Sequence, residues 1–463
     1  MKPSSPTPAA SSPSSSPRPL RKVLIANRGE IAVRVIRACR DLGVGSVVAY
    51  SEADRDSLAV MIADDAVCIG PPPAADSYLN VSRILSAAEI SSCDALHPGY
   101  GFLSESPEFV EATESCGLAY IGPSADTMRL LGDKIRARRT ALAAGIPVLP
   151  GSDDEVRDFK AAARFGRELG YPLLVKAAAG GGGKGMRVIR REKDLESGFR
   201  MCQAEAKAAF GDGRVYVEKY LAAAHHVEVQ ILADKHGNCV HLGERDCSAQ
   251  RRHQKLLEES PSPIVGPELR ARLGGWAIAL SRAAGYTNAG TVEFILDEEG
   301  NACFLEMNTR LQVEHPVTEE VTDVDIVRRQ LLIAAGEVLD LPPDIGEPRG
   351  HAIECRIYAE DPDLDFEPSP GLVTELRMPG GPGIRVESCL MPGCRVPPYY
   401  DPLVAKIIAR GRDRGQAIAR MDRALAETAI GGVATTVGFH RRLLKSGRFV
   451  RGRLTTSALD ELG

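Results

Sequence analysis

Polar and charged residues fall at every second position after Phe304, in the order Glu306, Asn308, Arg310, Gln312 and Glu314, with Met307, Thr309, Leu311 and Val313 between them. In an extended chain successive side chains point to opposite faces, so this spelling sets two carboxylates, two amides and a guanidinium in one row above a largely apolar underside. A half-buried strand with a solvated outer face has the same alternation. Upstream, residues 291–297 (TVEFILD) read as a strand, Glu298, Glu299, Gly300 and Asn301 as turn chemistry, and residues 302–308 as the returning strand of a hairpin. A turn centred between Glu299 and Gly300 sets Glu293 directly opposite Glu306, with Cβ atoms roughly 4.5 to 5.5 Å apart. Like charges so placed repel, and a cation between them removes the penalty. Mg²⁺ takes carboxylate oxygens at about 2.1 Å and completes its shell with water and substrate phosphates, and Asn308 offers a third oxygen on the same face. The hairpin therefore predicts a metal and nucleotide site at Glu293, Glu306 and Asn308.

Elsewhere the pattern predicts alternating strands and helices. The apolar run 23–26, a turn at Asn27-Arg28-Gly29, a stripe of Ile31, Val35, Cys39 and Leu42 ending at Gly43, and the run 46–50 spell strand, helix, strand. A dinucleotide site needs three glycines in that first turn, and only one is present. Residues 171–189 (YPLLVKAAAGGGGKGMRVI) read as strand, glycine loop, strand. The backbone N–H groups of Gly180 to Gly183 and the amine of Lys184 suit phosphates, although a floppy surface hairpin has the same composition. A Walker A loop is excluded, because Gly-Met-Arg-Val-Ile follows the lysine where Ser or Thr must open a helix. With residues 215–221 (VYVEKYL) as a returning strand, the stretch 149–221 reads as a small separable lid. A helix is predicted over 323–336 and another over 416–427. The alternating run 351–359 puts Glu354 and Arg356 on one face, where an ion pair with a neighbouring carboxylate is a purely structural use of Arg356.

Composition narrows the class. At 463 residues the chain needs two to four cores. A formal net charge of −5 with interspersed signs gives no nucleic-acid or membrane-surface footprint. No run approaches the roughly 18 apolar residues of a membrane span, and no signal sequence opens the chain, so cytoplasm is expected. The 11 cysteines contain no C-x-x-C pair, which argues against a zinc site or a disulfide framework. Most read as small buried apolar residues, Cys247 included, although its motif ERDCSAQ leaves a reactive thiol open. Residues 1–20, almost all Ser, Pro and Ala, read as a disordered tail.

Six motifs occur in order: ANRGEIA from Ala26, HPGYGFLSE from His97, KAAAGGGGKGMR from Lys176, ERDCSAQRRHQK from Glu244, EMNTRLQVEHPVTE from Glu306 and ECRIYAEDP from Glu354. Together they resemble the biotin carboxylases of the ATP-grasp superfamily over about residues 22–455. The resemblance implies a mixed α/β and α+β chain in three domains. These are a Rossmann-like α/β domain (21–130), a small mobile ATP-grasp lid (149–221) reached through a linker helix region (131–148), and a mixed α+β C-terminal domain (222–463). It places Lys134, Lys176, Gly181, Gly182, Gly183, Lys184 and Gly185 on the ATP phosphates. Glu218, Lys219 and Leu221 match the adenine pocket, and His226, Gln250 and His253 further nucleotide contacts. Glu293, Glu306 and Asn308 match the metal positions, for Mg²⁺ with Mn²⁺ as an alternative. Lys255, Arg310, Gln312 and Val313 match a bicarbonate site, Glu314 the general base, and Arg356 with Tyr100 the biotin contacts.

The implied activity is ATP- and bicarbonate-dependent carboxylation of biotin through carboxyphosphate, the first half-reaction of acetyl-CoA carboxylase. No A/V-M-K-M biotinylation sequence occurs in the 463 residues. The resemblance therefore implies biotin on a separate carboxyl carrier protein, carboxyltransferase subunits as further partners, and a homodimer. Glu367 and Pro382 depart from the commoner family pattern. A ligase using another nucleophile would lack Arg356 and Lys255, and a silent relative would have lost Glu314, Lys255 or a metal carboxylate.

Overall fold

The structure, a computed structural model, describes residues 18–179, 185–343 and 346–459. Strand β1 (Lys22–Ile25) pairs in parallel with β2 (Gly45–Ser51), and helix α1 (Gly29–Asp41) crosses between them. Ile31, Val35 and Cys39 recur every fourth residue and bury one face of α1 in the core beneath the sheet. The helix ends where Gly43 turns to φ 67°, with the N–H groups of Gly43 and Val44 closing the carbonyls of Arg40 and Cys39. Strands β3 (Asp65–Gly70), β4 (Ala95–His97) and β5 (Ala119–Tyr120) complete a parallel sheet in the order β3-β2-β1-β4-β5. Its strand order reverses between β1 and β4. In open parallel sheets that switch point is where ligands meet the carboxyl ends of the strands, and Asn27 to Ile31 line a cleft there.

Helix α2 (Lys134–Ala143) begins at the Asp133 carboxylate, which accepts from the N–H groups of Ile135 and Arg136. A small layer follows, of α3 (Phe159–Leu169), β6 (Leu173–Ala177), β7 (Met186–Ile189), α4 (Leu195–Phe210) and β8 (Val215–Lys219). Its antiparallel sheet, ordered β7-β6-β8, closes its own core of Leu173, Val175, Val215 and Val217 against Leu195 and Phe199. Gly180 to Lys184, between β6 and β7, lie outside the described residues, as do residues 1–17 of the Ser- and Pro-rich tail. Arg18 already bonds the body, its N–H donating to the Ala335 carbonyl at 2.8 Å.

The largest layer is an antiparallel sheet. It contains β9 (His225–Ala233), β10 (Cys239–Arg251), β11 (Gln254–Ser260), β12 (Asn288–Leu296), β13 (Ala302–Asn308), β14 (His351–Tyr358), β15 (Ile384–Ser388) and β16 (Leu403–Gly411). The strand order is β13-β12-β9-β10-β11-β14-β16-β15. Helices α5 (Pro267–Ala283), α6 (His315–Thr322), α7 (Ile326–Ala334) and α8 (Arg414–Glu427) complete it. This α/β plus α+β arrangement is the fold class expected.

Several sequence expectations need correction. The alternating row is a strand only to Asn308; the chain then turns and enters α6 with Glu314 at its N-cap, because Pro316 suits a first helical turn and no strand interior. The hairpin turn is shifted by one residue. Leu296 faces Ala302 and Phe294 faces Phe304, and an irregularity between Phe294 and Glu293 then restores the pairing of Glu293 with Glu306. The bulged residue is thus Leu305. The helix predicted over 323–336 is shorter, because Asp323 adopts φ 58° to close α6 and the Asp325 carboxylate caps α7 at the N–H of Arg328. All of β14 is buried, so neither of its faces is solvated. Glu367 and Pro382 are exposed.

The chain entering the small layer is pinned to β8 by backbone contact. Gly151 bridges to Glu218, and a Cβ there would lie 2.4 Å from the Val217 carbonyl oxygen and 2.8 Å from Glu218 Cα. The substitution Gly151→Ala therefore forces backbone apart and is expected to cost about 1–3 kcal/mol. Thermal denaturation checks this, with a lowered midpoint expected and an unchanged midpoint contradicting it.

Candidate active site

A cleft of about 1120 Å³ lies between the small layer, the large sheet and the N-terminal domain. Its walls include Tyr100, Lys134, Lys176, Glu218, Lys219, Leu221, His226, Gln250, His253, Lys255, Glu293, Glu306, Asn308, Arg310, Gln312, Val313 and Arg356. The structure thus gathers in one place nearly every residue named from the sequence. Gly185, at φ 67°, sits beside the loop rather than on the wall, with its N–H on Glu205. Gly181, Gly182, Gly183 and Lys184 lie outside the described residues. Glu314 does not reach the wall, being fully buried behind its partners.

At the carboxylate end, β12 and β13 bring Glu293 and Glu306 side by side. Glu293 Oε1 accepts from Asn308 Nδ2 at 2.8 Å, Lys255 Nζ at 3.0 Å and Gln312 Nε2 at 3.2 Å, while His226 Nε2 lies 2.9 Å from Oε2. Burial alone would raise this carboxyl, but the charges of Lys255 and His226 outweigh it and hold Glu293 well below the usual carboxylate range. Glu306 pairs with Lys134, and Asn308 Oδ1 accepts from Arg310 Nη2 at 3.0 Å. Two carboxylates and an amide oxygen form a hard oxygen set suited to Mg²⁺ or Mn²⁺, and each carboxylate is met by a lysine whose charge stands in for a cation. His226, Glu228 and Glu293 also bring ligand atoms within 4.8 Å of one another. Glu228 is already neutralised by Arg245 and Lys255, which favours the oxygen set.

Next to Glu293, across the shared Lys255, Glu314 accepts from Lys255 Nζ at 2.7 Å and Arg356 Nη2 at 2.9 Å. Against the penalty of burial, Lys255, Arg356 and Arg245 together hold it well below the carboxylate range. Lys255 therefore bonds three carboxylates at once, Glu228, Glu293 and Glu314. Arg356 also grips Glu258, whose acid burial pushes up to about 7, Arg356 opposing and Glu314 adding to the rise. The ion-pair reading of Arg356 and its place in the cleft are thus both met. Arg310 is tied to Glu105 at 3.1 Å and to the Gln312 side-chain oxygen at 2.7 Å, and the Val313 carbonyl accepts from Lys406 Nζ at 2.7 Å.

In the small layer, Lys176 of β6 pairs with Glu218 of β8, both buried. Burial, then the neighbouring Lys176, brings Lys134 down to about 8. Lys219 turns its ammonium onto the carbonyls of Leu169 and Gly170 at the end of α3. His253 adopts φ 67° in the tight turn joining β10 to β11. The Tyr100 hydroxyl is buried without a hydrogen-bond partner.

Sequence reasoning missed Glu228, Arg245, Glu258 and Lys406. Its own rule would have found the first, since His226, Glu228 and Gln230 alternate along 225–233 as the later row does. Arg245 is fully buried and donates to Glu228, Gln230, Thr318 and Thr291 at 2.6 to 3.1 Å. Cys247, beside it, is buried, and burial and then Glu228 push its thiol well up, which keeps it protonated and unreactive.

The chain matches the biotin carboxylase N-terminal domain family over residues 19–128 and the ATP-binding domain family of the carbamoyl-phosphate synthase L chain over 133–341. The biotin carboxylase C-terminal domain family matches over 354–461. Biotin carboxylase 1 of Bacillus subtilis is 52% identical over 442 residues, covering 95% of this chain and 98% of that protein. A Methanothermobacter thermautotrophicus protein named as one of the subunits of pyruvate carboxylase is 50% identical over 440 residues, 95% of this chain and 89% of that one. A crystal structure of a Campylobacter jejuni biotin carboxylase–βγ-ATP complex superimposes with TM-score 0.93 at 45% identity, over 96% of this chain and 99% of that one. The biotin carboxylase domain dimer of Hydrogenobacter thermophilus 2-oxoglutarate carboxylase, in complex with MgADP, ADP and bicarbonate, gives 0.93 at 46% identity, over 96% and 98%.

Removing Arg245 leaves the buried Glu228 with Lys255 as its remaining cation, one that it shares with Glu293 and Glu314. Arg245→Met is expected to cost about 3–5 kcal/mol, with part of the loss recovered in the Arg245→Met/Glu228→Gln double variant. Denaturant unfolding of the three proteins checks this, and strict additivity of the two substitutions would contradict the pairing.

Proposed function

Because this chain belongs to the biotin carboxylase family of ATP-dependent carbon–nitrogen ligases, we propose that its cleft carboxylates biotin presented on a separate carrier protein. ATP and bicarbonate are consumed, and the reaction passes through carboxyphosphate. The observation that carries this reading is Glu314, an ionised carboxylate sealed between Lys255 and Arg356 at the end of a cleft large enough for a nucleotide. We assign the lid to residues 149–221, between an N-terminal domain of 21–130 and a C-terminal domain beginning at 222.

The residues divide by position. Lys134 and Lys176 exchange Glu306 and Glu218 for phosphate oxygens, and we assign Gly181, Gly182, Gly183, Lys184 and Gly185 to the same phosphates. Glu218, Lys219 and Leu221 border the adenine, and His226, Gln250 and His253 complete the nucleotide contacts. Mg²⁺ or Mn²⁺ held by Glu293, Glu306 and Asn308 neutralises charge on the phosphoryl oxygens. With a cation on Glu293, Lys255 would lose one of its three carboxylates and could turn toward bicarbonate, which the planar guanidinium of Arg310 grips bidentately beside Gln312 and the Val313 backbone. Lys255 moving away also uncovers Glu314, which takes the bicarbonate proton as its oxygen attacks the γ-phosphorus. Carboxyphosphate divides into CO₂ and phosphate, the phosphate takes the N1′ proton of biotin, and Arg356 beside Tyr100 stabilises the ureido oxygen that becomes anionic. Closure of the lid keeps CO₂ and carboxyphosphate from water.

These residues fix the carboxyl donor and not the acyl acceptor. The chemistry is the half-reaction shared by a relative named biotin carboxylase and one named for pyruvate carboxylase. We assign acetyl-CoA carboxylase as the assembly, with a carboxyl carrier protein and carboxyltransferase subunits as partners. A homodimer is supported by the relative whose domain is described as a dimer. No helix among the described residues is long and apolar enough to cross a membrane, and we place the chain in the cytoplasm.

ADP release by the isolated chain, measured with and without bicarbonate and across a range of free biotin, tests the proposal. Bicarbonate-dependent release stimulated by biotin is expected, and its absence overturns the reading. Glu314→Gln should lower every bicarbonate-dependent turnover by about 100-fold or more. Arg356→Ala should lower carboxybiotin formation more than ATP cleavage, and equal losses would remove the division of roles.

A further inference from the structure

One fully buried cation on the cleft side of the large sheet has no role in the scheme above. Lys406 lies on β16 and is paired across the sheet with Arg356 of β14. Two cations directly opposite in a sheet repel, so the pairing needs a reason. Both reach the same dipeptide. Arg356 holds the side-chain carboxylate of Glu314 at 2.9 Å, and Lys406 holds the backbone carbonyl of Val313 at 2.7 Å. The preceding carbonyl, of Gln312, is held by His315 Nδ1 at 2.8 Å. The Lys406 ammonium also stands 5.8 Å from the centre of the Tyr100 ring. Its counter-charge comes from the other domain, Glu30 of α1, whose carboxylate lies 3.2 Å from Nζ; Glu387, its register partner on β15, is taken up by Arg37 and Arg385.

We propose that Lys406 is a positioning residue for the reaction, clamping the Val313–Glu314 peptide from behind while Arg356 clamps it from the front. The inference rests on the reading of Glu314 as the base and Val313 as part of the bicarbonate site. A turn between a strand and a helix has no ladder to fix its peptide planes. The lysine supplies a charge-assisted hydrogen bond in that place, and it ties the plane to the Tyr100 ring on the biotin side. Lys406 touches neither the phosphate nor the metal positions, so its removal should spare nucleotide binding.

The test uses the full chain carrying Lys406→Met, which keeps an unbranched stem without the ammonium, and Lys406→Arg, which keeps the charge in a displaced head. ADP release is measured against ATP and against bicarbonate. The expected result is a fall of about tenfold or more in kcat for bicarbonate-dependent release in the Met variant and a smaller fall in the Arg variant. The KM for ATP should stay within about twofold in both. Either variant decides alone if the other does not fold. Wild-type kcat in a folded variant overturns the proposal, and so does a parallel loss of ATP affinity, which marks a general structural strut. Those results leave the biotin carboxylase reading intact; loss of bicarbonate-dependent release in the unmodified chain would instead remove both.

Discussion

A carboxylate taken out of water costs several kcal/mol unless opposite charge and hydrogen bonds meet its oxygens, and this fold buries Glu228, Glu258, Glu293 and Glu314 within one end of one sheet. The rest of the structure follows from that constraint. Arg245, Lys255 and Arg356 come from three different strands, β10, β11 and β14, to stand among the acids. Lys255 is shared by three of them, so no carboxylate can move without altering the others. The shared cations also set which acids are charged: Glu293 and Glu314 are held low by their lysine and guanidinium neighbours, while Glu258 rises to about 7 because burial outweighs its one arginine.

Charge balance of this kind connects stability with the proposed chemistry. Within the cleft the chain's own ions occupy one another: Lys134 with Glu306, Lys176 with Glu218, Lys255 with Glu293 and Glu314. On the proposed scheme, phosphates and a divalent cation would replace each internal partner by an external one of the same sign, so the ammonium groups would change partners without becoming unpaired. A site built in this way holds Glu293 and Glu314 ionised before substrate arrives and would expose the proposed base only when Lys255 has somewhere else to go.

Much of the fold was legible because its signals are local. The i, i+4 stripe of Ile31, Val35 and Cys39 gave α1, and the two apolar runs around the glycines gave β6 and β7. The facing of Glu293 and Glu306 was also legible, although by a route the sequence does not show: the turn is one residue off and a bulge at Leu305 restores the pairing. The row after Asn308 was read as strand because alternation cannot distinguish an extended run from a turn whose side chains happen to converge, and Pro316 was the overlooked signal. The cations behind the site were illegible for a different reason. Glu258 and Lys406 acquire their partners between segments more than 90 residues apart, and Arg245 meets Glu228 across neighbouring strands whose register shifts along the pair; no spacing within one segment encodes either.

The central claim is that this charged row serves to place a bicarbonate oxygen against the γ-phosphorus of ATP. Turnover with ¹⁸O-labelled bicarbonate in unlabelled water, followed by mass spectrometry of the released phosphate, tests it most directly. Attack by bicarbonate leaves one of its oxygens on phosphorus when carboxyphosphate breaks down, so one labelled oxygen per phosphate is predicted. Phosphate free of label, with its new oxygen drawn from water, would contradict the account.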